Sequence, residues 1–313
     1  MQTATATREI ETAATLDDAY RHCTRVTKEC ARNFYYGLKL TPEPRRSGLY
    51  AMYAWMRTGD DAVDEGGDLA ARERELARFR GKSEAILAGE SAGDSPMWAA
   101  WADTLQRWRI DRDDIRAMLD GLEEDLHHHG YETEAELERY CRRVASSVGS
   151  VCVTIWGVRP GVSFEEARRL AVRRGLAFQL TNILRDYAED FDMDRVYIPR
   201  AAFRGFDLTP EDLRAWREPA RCASLMRERL RQAREHYVAS DGLEKMVDPA
   251  CAPSLWAMTR IYRGLLEKIE ADPRRIAGGP RVRLASIHKA GIALQAVIKS
   301  RSLARMPARA GQS

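Results

Sequence analysis

Two pairs of aspartates are the residues of this 313-residue chain whose type and spacing best suit chemistry. Asp60 and Asp64 lie in the segment YAMYAWMRTGDDAVDE, and Asp186 and Asp190 lie in GLAFQLTNILRDYAEDFDMDRVYIP. A spacing of four residues places both carboxylates of a pair on one face of an α-helix. Two such faces turned toward each other would be costly unless cations bind between them. Because Mg²⁺ prefers carboxylate oxygens and bridges to phosphate, the pattern indicates diphosphate chemistry.

Polar side chains extend each aspartate pair into a stripe along its helix. Tyr53 and Arg57 share the face of Asp60, and Gln179 and Asn182 lie on the aspartate face of the second helix. Amides and carboxylates aligned in an apolar helix predict a desolvated site, in which Arg57 reaches phosphate. The alternative for the first helix taken alone is an exposed acidic end with an Arg–Asp pair.

A third segment, ELERYCRRVASSVGSVCVTIWG, lies between the two motifs and is predicted to be helical. It aligns Tyr140 with Val144, and small residues follow between positions 145 and 149. Small residues predict close helix packing, with space for a hydrocarbon chain as the alternative. After the second motif, Arg195 and Tyr197 are predicted to form a flap over the pocket.

Composition limits the fold and the partners. Hydrophobic residues make up 44% of the chain, and alternating β-branched runs are few, so an all-α fold is predicted. A net charge of +3, with no basic stretch interleaved with aromatics, argues against nucleic-acid binding. The six cysteines show no CxxC pair, which favours reduced thiols in the cytoplasm. No run approaches the roughly 18–20 apolar residues that span a bilayer.

Pro, Gly and Ser residues mark the ends of the predicted helices, but no convincing linker divides the chain, so a single domain is predicted. We expect a flexible N-terminus over 1–15, the domain over 16–300, and a flexible basic tail over 301–313. Solvation of this tail is the simpler interpretation, and contact with anionic lipid is the alternative. Helices are predicted over 17–40, 45–64, 69–87, 97–108, 112–127, 134–156, 164–190, 220–240, 253–271 and 284–305, with a loop over 192–212.

Four segments in this order resemble the squalene/phytoene synthases, the head-to-head prenyl transferases. They are FYYGLKLTP, YAMYAWMRTGDDAVDE, YCRRVASSVGSV and QLTNILRDYAEDFDMDRVYIP, and the resemblance runs from about residue 20 to about residue 289. It implies a single-domain isoprenoid-synthase helical bundle with a central active-site cavity. It also implies roles for the stripe residues: a Mg²⁺ cluster and diphosphates bound by Asp60, Asp64, Asp186 and Asp190, diphosphate or metal contacts from Arg57, Gln179 and Asn182, and reacting carbons bordered by Tyr53 and Tyr140.

One segment departs from the family pattern. Many members have Ser-Lys/Arg-Ser-Phe where this chain has Ala31, Arg32, Asn33 and Phe34. The basic residue and the phenylalanine persist, so Arg32 and Phe34 are expected to contact substrate. Both serine hydroxyls are missing, which weakens the case for phosphate contacts at this segment.

The implied reaction joins two prenyl diphosphates with release of diphosphate. DDAVD also suits chain elongators and terpene cyclases, but QLTNILRDYAED favours head-to-head coupling. The FYYGL segment and Tyr50, expected at the cavity floor, favour two farnesyl diphosphates and a presqualene diphosphate or squalene product. NADPH would be needed only for squalene. Two geranylgeranyl diphosphates, giving phytoene, are the alternative.

A different class of function is a family-like assembly factor without activity. Such factors have typically lost motif carboxylates, and all four aspartates are present here. Since the products are insoluble hydrocarbons or amphiphiles, we expect a cytoplasmic enzyme that contacts the inner face of the membrane peripherally to release product.

Overall fold

The computed structural model of the chain describes residues 2–31, 34–64, 67–93 and 95–303, with side chains described within 16–298. These residues form helices and no strand, which confirms the predicted all-α class. The helices are α1 (Gln2–Cys30), α2 (Phe34–Leu38), α3 (Arg45–Asp64), α4 (Leu69–Leu87), α5 (Pro96–Trp108), α6 (Arg112–Leu126), α7 (Glu134–Cys141), a π-helical turn (Arg142–Ser146), α8 (Ser147–Trp156), α9 (Phe164–Asp192), α10 (Arg200–Gly205), α11 (Pro210–Ala215), α12 (Pro219–Ala239), α13 (Leu243–Met246), α14 (Ala252–Ala271), a 3₁₀ turn (Pro273–Ala277) and α15 (Ser286–Leu303).

The helices that carry the aspartates begin where local hydrogen bonding favours a start. Glu43 accepts a hydrogen bond from the Ser47 backbone amide in the first turn of α3, at 3.1 Å. Ser163 caps α9 by accepting from the Glu166 amide at 3.3 Å. Both helices therefore match their predicted ranges closely, with α9 running two residues further than expected.

Three predicted elements differ from the structure. The loop expected over 192–212 contains the short helix α10 and the start of α11. The helix expected over 17–40 is divided into α1 and α2, and α1 begins at Gln2. The helix expected over 134–156 contains the π-helical turn, which inserts one wider turn next to Tyr140. Such turns are rare in helices and are frequent at functional sites.

The small residues of α8 and α9 allow these two helices to approach closely. A Cβ atom on Gly175 would lie 2.6 Å from the carbonyl oxygen of Ala145, and one on Gly149 would lie 2.8 Å from that of Ala171. Both distances are shorter than a Cβ contact tolerates. The close packing expected for the 145–149 segment is therefore confirmed.

A buried ion pair ties α9 to the C-terminal helices. The side chain of Arg174 is 3% exposed and contacts Glu244 at 2.5 Å. Its Nε donates to the Ser240 hydroxyl at 2.8 Å, and Nη2 donates to the Ser240 carbonyl at 2.9 Å. Thr259 also lies within hydrogen-bonding reach of the guanidinium, and its hydroxyl donates to Glu244 at 2.8 Å. Glu244 of α13 compensates the Arg174 charge, and Ser240 at the end of α12 and Thr259 of α14 complete the network.

Candidate active site

A deep cavity of about 750 Å³ runs through the bundle. One wall is α9 from Ala171 to Arg185, and another runs along α7, the π-helical turn and α8 from Tyr140 to Trp156. Seven residues singled out from the sequence line this cavity, namely Phe34, Tyr53, Arg57, Asp60, Tyr140, Gln179 and Asn182. Five members of the two polar stripes predicted on α3 and α9 therefore face one shared space, whereas Asp64, Asp186 and Asp190 are not among the residues that line it.

Asp60 is the cavity-lining carboxylate of the first stripe. Its side chain keeps exposed surface because it faces the cavity, yet protein surrounds it on the other sides. This burial raises the pKa of Asp60 to about 7, with further contributions from Asp125 and Asp64 and opposition from Arg57. Arg57 itself forms an ion pair with Asp61 one turn along. A cation bound beside Asp60 would therefore favour the charged form of its carboxyl group.

Asp186 of the second stripe is held between two arginines. Arg281 contacts both of its carboxylate oxygens at 2.7 Å, and Arg185 donates to it through Nε at 2.7 Å. Arg185 does not pair with Glu189 one turn along α9, because Arg281 contacts Glu189 at 3.2 Å while Arg185 turns to Asp186. Burial, and then Asp186, raise the pKa of Asp190 to about 7.

Asp125 on α6 is a fifth carboxylate that the sequence analysis missed. It accepts hydrogen bonds from the Tyr140 hydroxyl at 3.0 Å and the Tyr197 hydroxyl at 2.8 Å. Burial raises its pKa to about 6, although both hydrogen bonds act in the opposite direction. A signal existed, since Met118 and Leu122 continue to Asp125 at helical spacing and all three line the cavity.

The predicted flap residues divide between two roles. Arg195 donates to Asp64 at 2.9 Å and so joins the segment after α9 to the end of α3. Tyr197 is 8% exposed and stacks on Tyr140 with ring centroids 5.2 Å apart. Tyr197 therefore packs beside the cavity without lining it. Its segment is pinned inward because the Arg200 amide donates to the Tyr131 carbonyl at 2.8 Å.

The expected cavity floor at Tyr50 is also wrong. Tyr50 is buried, stacks with Tyr35 at 6.2 Å between ring centroids, and does not line the cavity. It lies three residues before Tyr53, which turns its side chain toward a different flank of α3. Apolar lining comes instead from residues such as Trp156 and Leu255.

Phe34 lines the cavity and meets Tyr262 edge to face, with ring centroids 5.7 Å apart. Tyr262 in turn stacks on Phe178 at 4.3 Å, which adds an aromatic section to the wall. Arg32 and Asn33, the positions where the chain departs from the family pattern, lie outside the described residues.

The carboxylates fit Mg²⁺ by chemical type. Asp60, Asp125 and Asp190 have raised pKa values because burial and neighbouring carboxylates disfavour their charges, and a divalent cation would relieve both effects. Within the described part of the chain, however, no group of three or more His, Cys, Asp or Glu side chains is arranged to hold a metal ion. Asp64 and Asp186 instead contact arginines.

A helical bundle around a cavity lined by both charged and apolar side chains is the arrangement of an isoprenoid-synthase type of protein. A solved dehydrosqualene synthase with a bound ligand has the same fold, with a TM-score of 0.81, 23% identity, and coverage of 92% of this chain and 98% of that one. The chain belongs to the squalene/phytoene synthase family, whose sequence profile matches residues 27–297. It is accordingly a prenyltransferase of the head-to-head type, and the enzyme prediction is confirmed.

Individual relatives support the family membership. The 15-cis-phytoene synthase of Synechocystis sp. is 33% identical over 83% of this chain and 79% of its own length. The chloroplastic phytoene synthase 1 of Arabidopsis thaliana is 34% identical over 82% of this chain and 61% of its own length. A solved squalene synthase from Alicyclobacillus acidocaldarius is 26% identical, with a TM-score of 0.74 and coverage of 85% and 97%.

Proposed function

We propose that the chain condenses two C20 geranylgeranyl diphosphates to phytoene with release of diphosphate. The observation that carries the proposal is the likeness to phytoene synthases, at 33% identity for the Synechocystis protein and 32% for that of Arthrospira platensis. One of the two sequence features that favoured C15 substrates is lost, since Tyr50 does not line the cavity. The farnesyl preference inferred from the sequence is therefore replaced by its C20 alternative.

Condensation of two C15 farnesyl diphosphates to presqualene diphosphate or a squalene-type product is the second candidate. It is favoured by the 26% identity to the squalene synthase of A. acidocaldarius. Only this candidate, and only if its product is squalene, would use NADPH.

The proposed site divides its work between the two polar stripes. Arg57, Arg185 and Arg281 line the cavity and supply fixed positive charge toward a diphosphate, which stabilises the leaving group. Gln179 and Asn182 offer amide donors on the same face of α9. The apolar and aromatic walls, including Phe178 and Tyr262, exclude water from the carbocation that ionisation produces.

We assign the proposed Mg²⁺ site to Asp60, Asp64, Asp186 and Asp190, with Asp125 adjacent. When bound, Mg²⁺ would neutralise the diphosphate and assist its departure. Arg195 forms an ion pair with Asp64, and Arg281 forms one with Asp186. If Mg²⁺ bound these aspartates, the two guanidiniums would be free to contact substrate phosphate.

We propose that the hydroxyl of Tyr140 positions the two prenyl diphosphates for reaction. The hydrogen bond to Asp125 fixes the orientation of this hydroxyl. Tyr140→Phe removes the hydroxyl and leaves the ring that stacks on Tyr197. We expect kcat to fall by about 100-fold with little change in thermal stability, as for loss of a positioned proton-transferring or hydrogen-bonding group. Single-turnover diphosphate release measures this effect.

Tyr197→Phe is the matched control, because Tyr197 donates to the same Asp125 carboxylate but does not line the cavity. A fall in kcat of less than about fivefold is expected for it, since the Tyr140 hydroxyl and its own bond to Asp125 stay in place. Full turnover in Tyr140→Phe, or equal losses in both variants, would remove the assigned role of Tyr140.

The decisive experiment for the proposed function offers purified protein C15 or C20 diphosphate with Mg²⁺, each with and without NADPH. Phytoene from the C20 substrate, formed at a kcat/KM at least tenfold above that for C15, is the expected result. Preferential formation of presqualene diphosphate or squalene would select the second candidate. Absence of diphosphate release from both substrates would contradict both.

The site suits prenyl diphosphates as partners, and nothing in the composition suits nucleic acid. We propose that the reaction takes place in the cytoplasm, at the inner face of a membrane that receives the apolar product. No helix within the described ranges has the length and apolar character to cross a bilayer.

A further inference from the structure

The C-terminal part of the chain has a charge pattern unlike the rest. After Asp272 there are nine lysines and arginines and no acidic residue, whereas residues 1–272 carry 41 basic and 47 acidic residues. A chain that is nearly neutral overall therefore concentrates its positive charge in its last 41 residues. Such a segment attracts anionic surfaces, and this attraction is screened by salt.

Helix α15 carries apolar side chains on its outer face within this basic segment. Ile287, Leu294 and Ile298 are 82%, 64% and 63% exposed. Their offsets of seven and eleven residues place them within about 40° of one another on a helix. Ile292 and Ala296 lie on the opposite face and are buried against the bundle. α15 therefore has an apolar face toward the core and a second one toward solvent, which a helix at a water-exposed surface does not need.

The opposite side of the same helix borders the cavity. Arg281, Val282 and Arg283, which lead into α15, line the cavity, and so does the buried Lys289 in the first turn of the helix. The Lys289 ammonium lies 5.2 Å from the centroid of the Tyr36 ring, which fixes the start of α15 over α2. The exposed stripe and the cavity thus share the same end of the sequence and the same helix.

We infer that the outer face of α15 docks on an anionic lipid bilayer, with Ile287, Leu294 and Ile298 entering the interface and the exposed Arg274, Arg275 and Arg283 contacting the headgroups. Apolar side chains flanked by cations match this occupant, because both the hydrocarbon boundary and the negative headgroups are present there. A neutral partner surface would leave the exposed Arg274, Arg275 and Arg283 without complement. The inference rests on the proposed function for its purpose, since a product as apolar as phytoene must pass from the cavity into lipid.

The test is co-sedimentation of the full chain with vesicles, without substrate. Vesicles of phosphatidylcholine and phosphatidylglycerol in equal parts are compared with vesicles of phosphatidylcholine alone. We expect binding to the anionic vesicles to be at least about tenfold stronger and to weaken as salt is raised. The triple variant Ile287→Gln, Leu294→Gln, Ile298→Gln should lower that binding by about 100-fold, since glutamine keeps the helix but removes the apolar contact.

The matched control replaces three exposed apolar residues on other elements, Leu69, Phe164 and Val238, by glutamine. It should bind vesicles like the parent, and circular dichroism should show the same helix content for all three proteins. Equal binding by the parent and the α15 variant would overturn the inference. So would a parent that forms dimers without lipid, loses them in the α15 variant, and does not bind vesicles, because a second copy would then be the occupant.

The binding assay separates this inference from the proposed function. Vesicle binding that depends on α15, with no turnover of either diphosphate, supports docking and contradicts the proposed reaction. Phytoene formation by a protein that does not bind anionic vesicles supports the proposed reaction and contradicts docking.

Discussion

Asp186→Asn is expected to lower kcat/KM by about 1,000-fold while the fold is retained. Asparagine has nearly the same shape but cannot provide the charge that the proposed Mg²⁺ site needs. The same change releases Arg185 and Arg281, which both contact this carboxylate, so their placement toward diphosphate is also lost. Loss of preorganised charge stabilisation costs about 100- to 1,000-fold for a single group, and here several groups are affected together. Steady-state diphosphate release over a range of Mg²⁺ concentrations measures the effect.

Asp192→Asn is the matched control on the same helix. Its side chain is 59% exposed and pairs with Arg214 on the outside of the bundle. Exposed ion pairs contribute about 0–1 kcal/mol, so activity and melting temperature should both stay close to those of the parent. An Asp186→Asn enzyme that retains activity within tenfold of the parent would contradict the assignment of this carboxylate.

Arg174→Leu should have the largest effect on stability, lowering the free energy of unfolding by about 3–5 kcal/mol. The substitution leaves Glu244 buried without its cation. Burial alone raises the pKa of Glu244, and it is Arg174 and the Thr259 hydroxyl that bring the pKa below its usual value. The carboxylate would therefore have to take up a proton or open the structure to water. Urea unfolding followed by circular dichroism gives the change in free energy.

The double variant Arg174→Leu, Glu244→Leu separates the ion pair from the packing. Replacing both charges by apolar groups is often neutral, so we expect most of the lost stability to return. The remaining groups stay satisfied, since the Ser240 hydroxyl donates to the His236 carbonyl and the Thr259 hydroxyl to that of Leu255. A double variant no more stable than Arg174→Leu would show that the network acts through more than this pair.

Much of the site could be predicted because helical periodicity acts locally. The stripes of α3 and α9 follow from spacing alone, and five of their members, from Tyr53 to Asn182, do line the cavity. Tyr140 could be placed for the same reason, although its partner could not. Asp125 lies 15 residues before Tyr140, and only the packing of α6 against α7 and the π-helical turn brings the two together.

Prediction from the sequence failed most clearly where contacts depend on how distant parts of the chain pack together. Arg281 reaches Asp186 across 95 positions, and no local pattern marks it. Tyr50 was expected at the cavity floor, yet its direction depends on how α3 is turned against its neighbours. Tyr197 follows the second motif closely but is drawn inward by Tyr140 and Asp125.

The sequence by itself determined the helical class, the two aspartate stripes and the family, because each depends on residue type and spacing along single helices. The tertiary structure decided which carboxylates meet which arginines, where Asp125 lies, and which residues line the apolar part of the cavity. These features depend on the relative rotation of packed helices, and a helix can turn a side chain toward or away from a cavity without any change in its local sequence. The exposed stripe of α15 belongs to the same group, since its spacing is visible in the sequence but its outward direction is not.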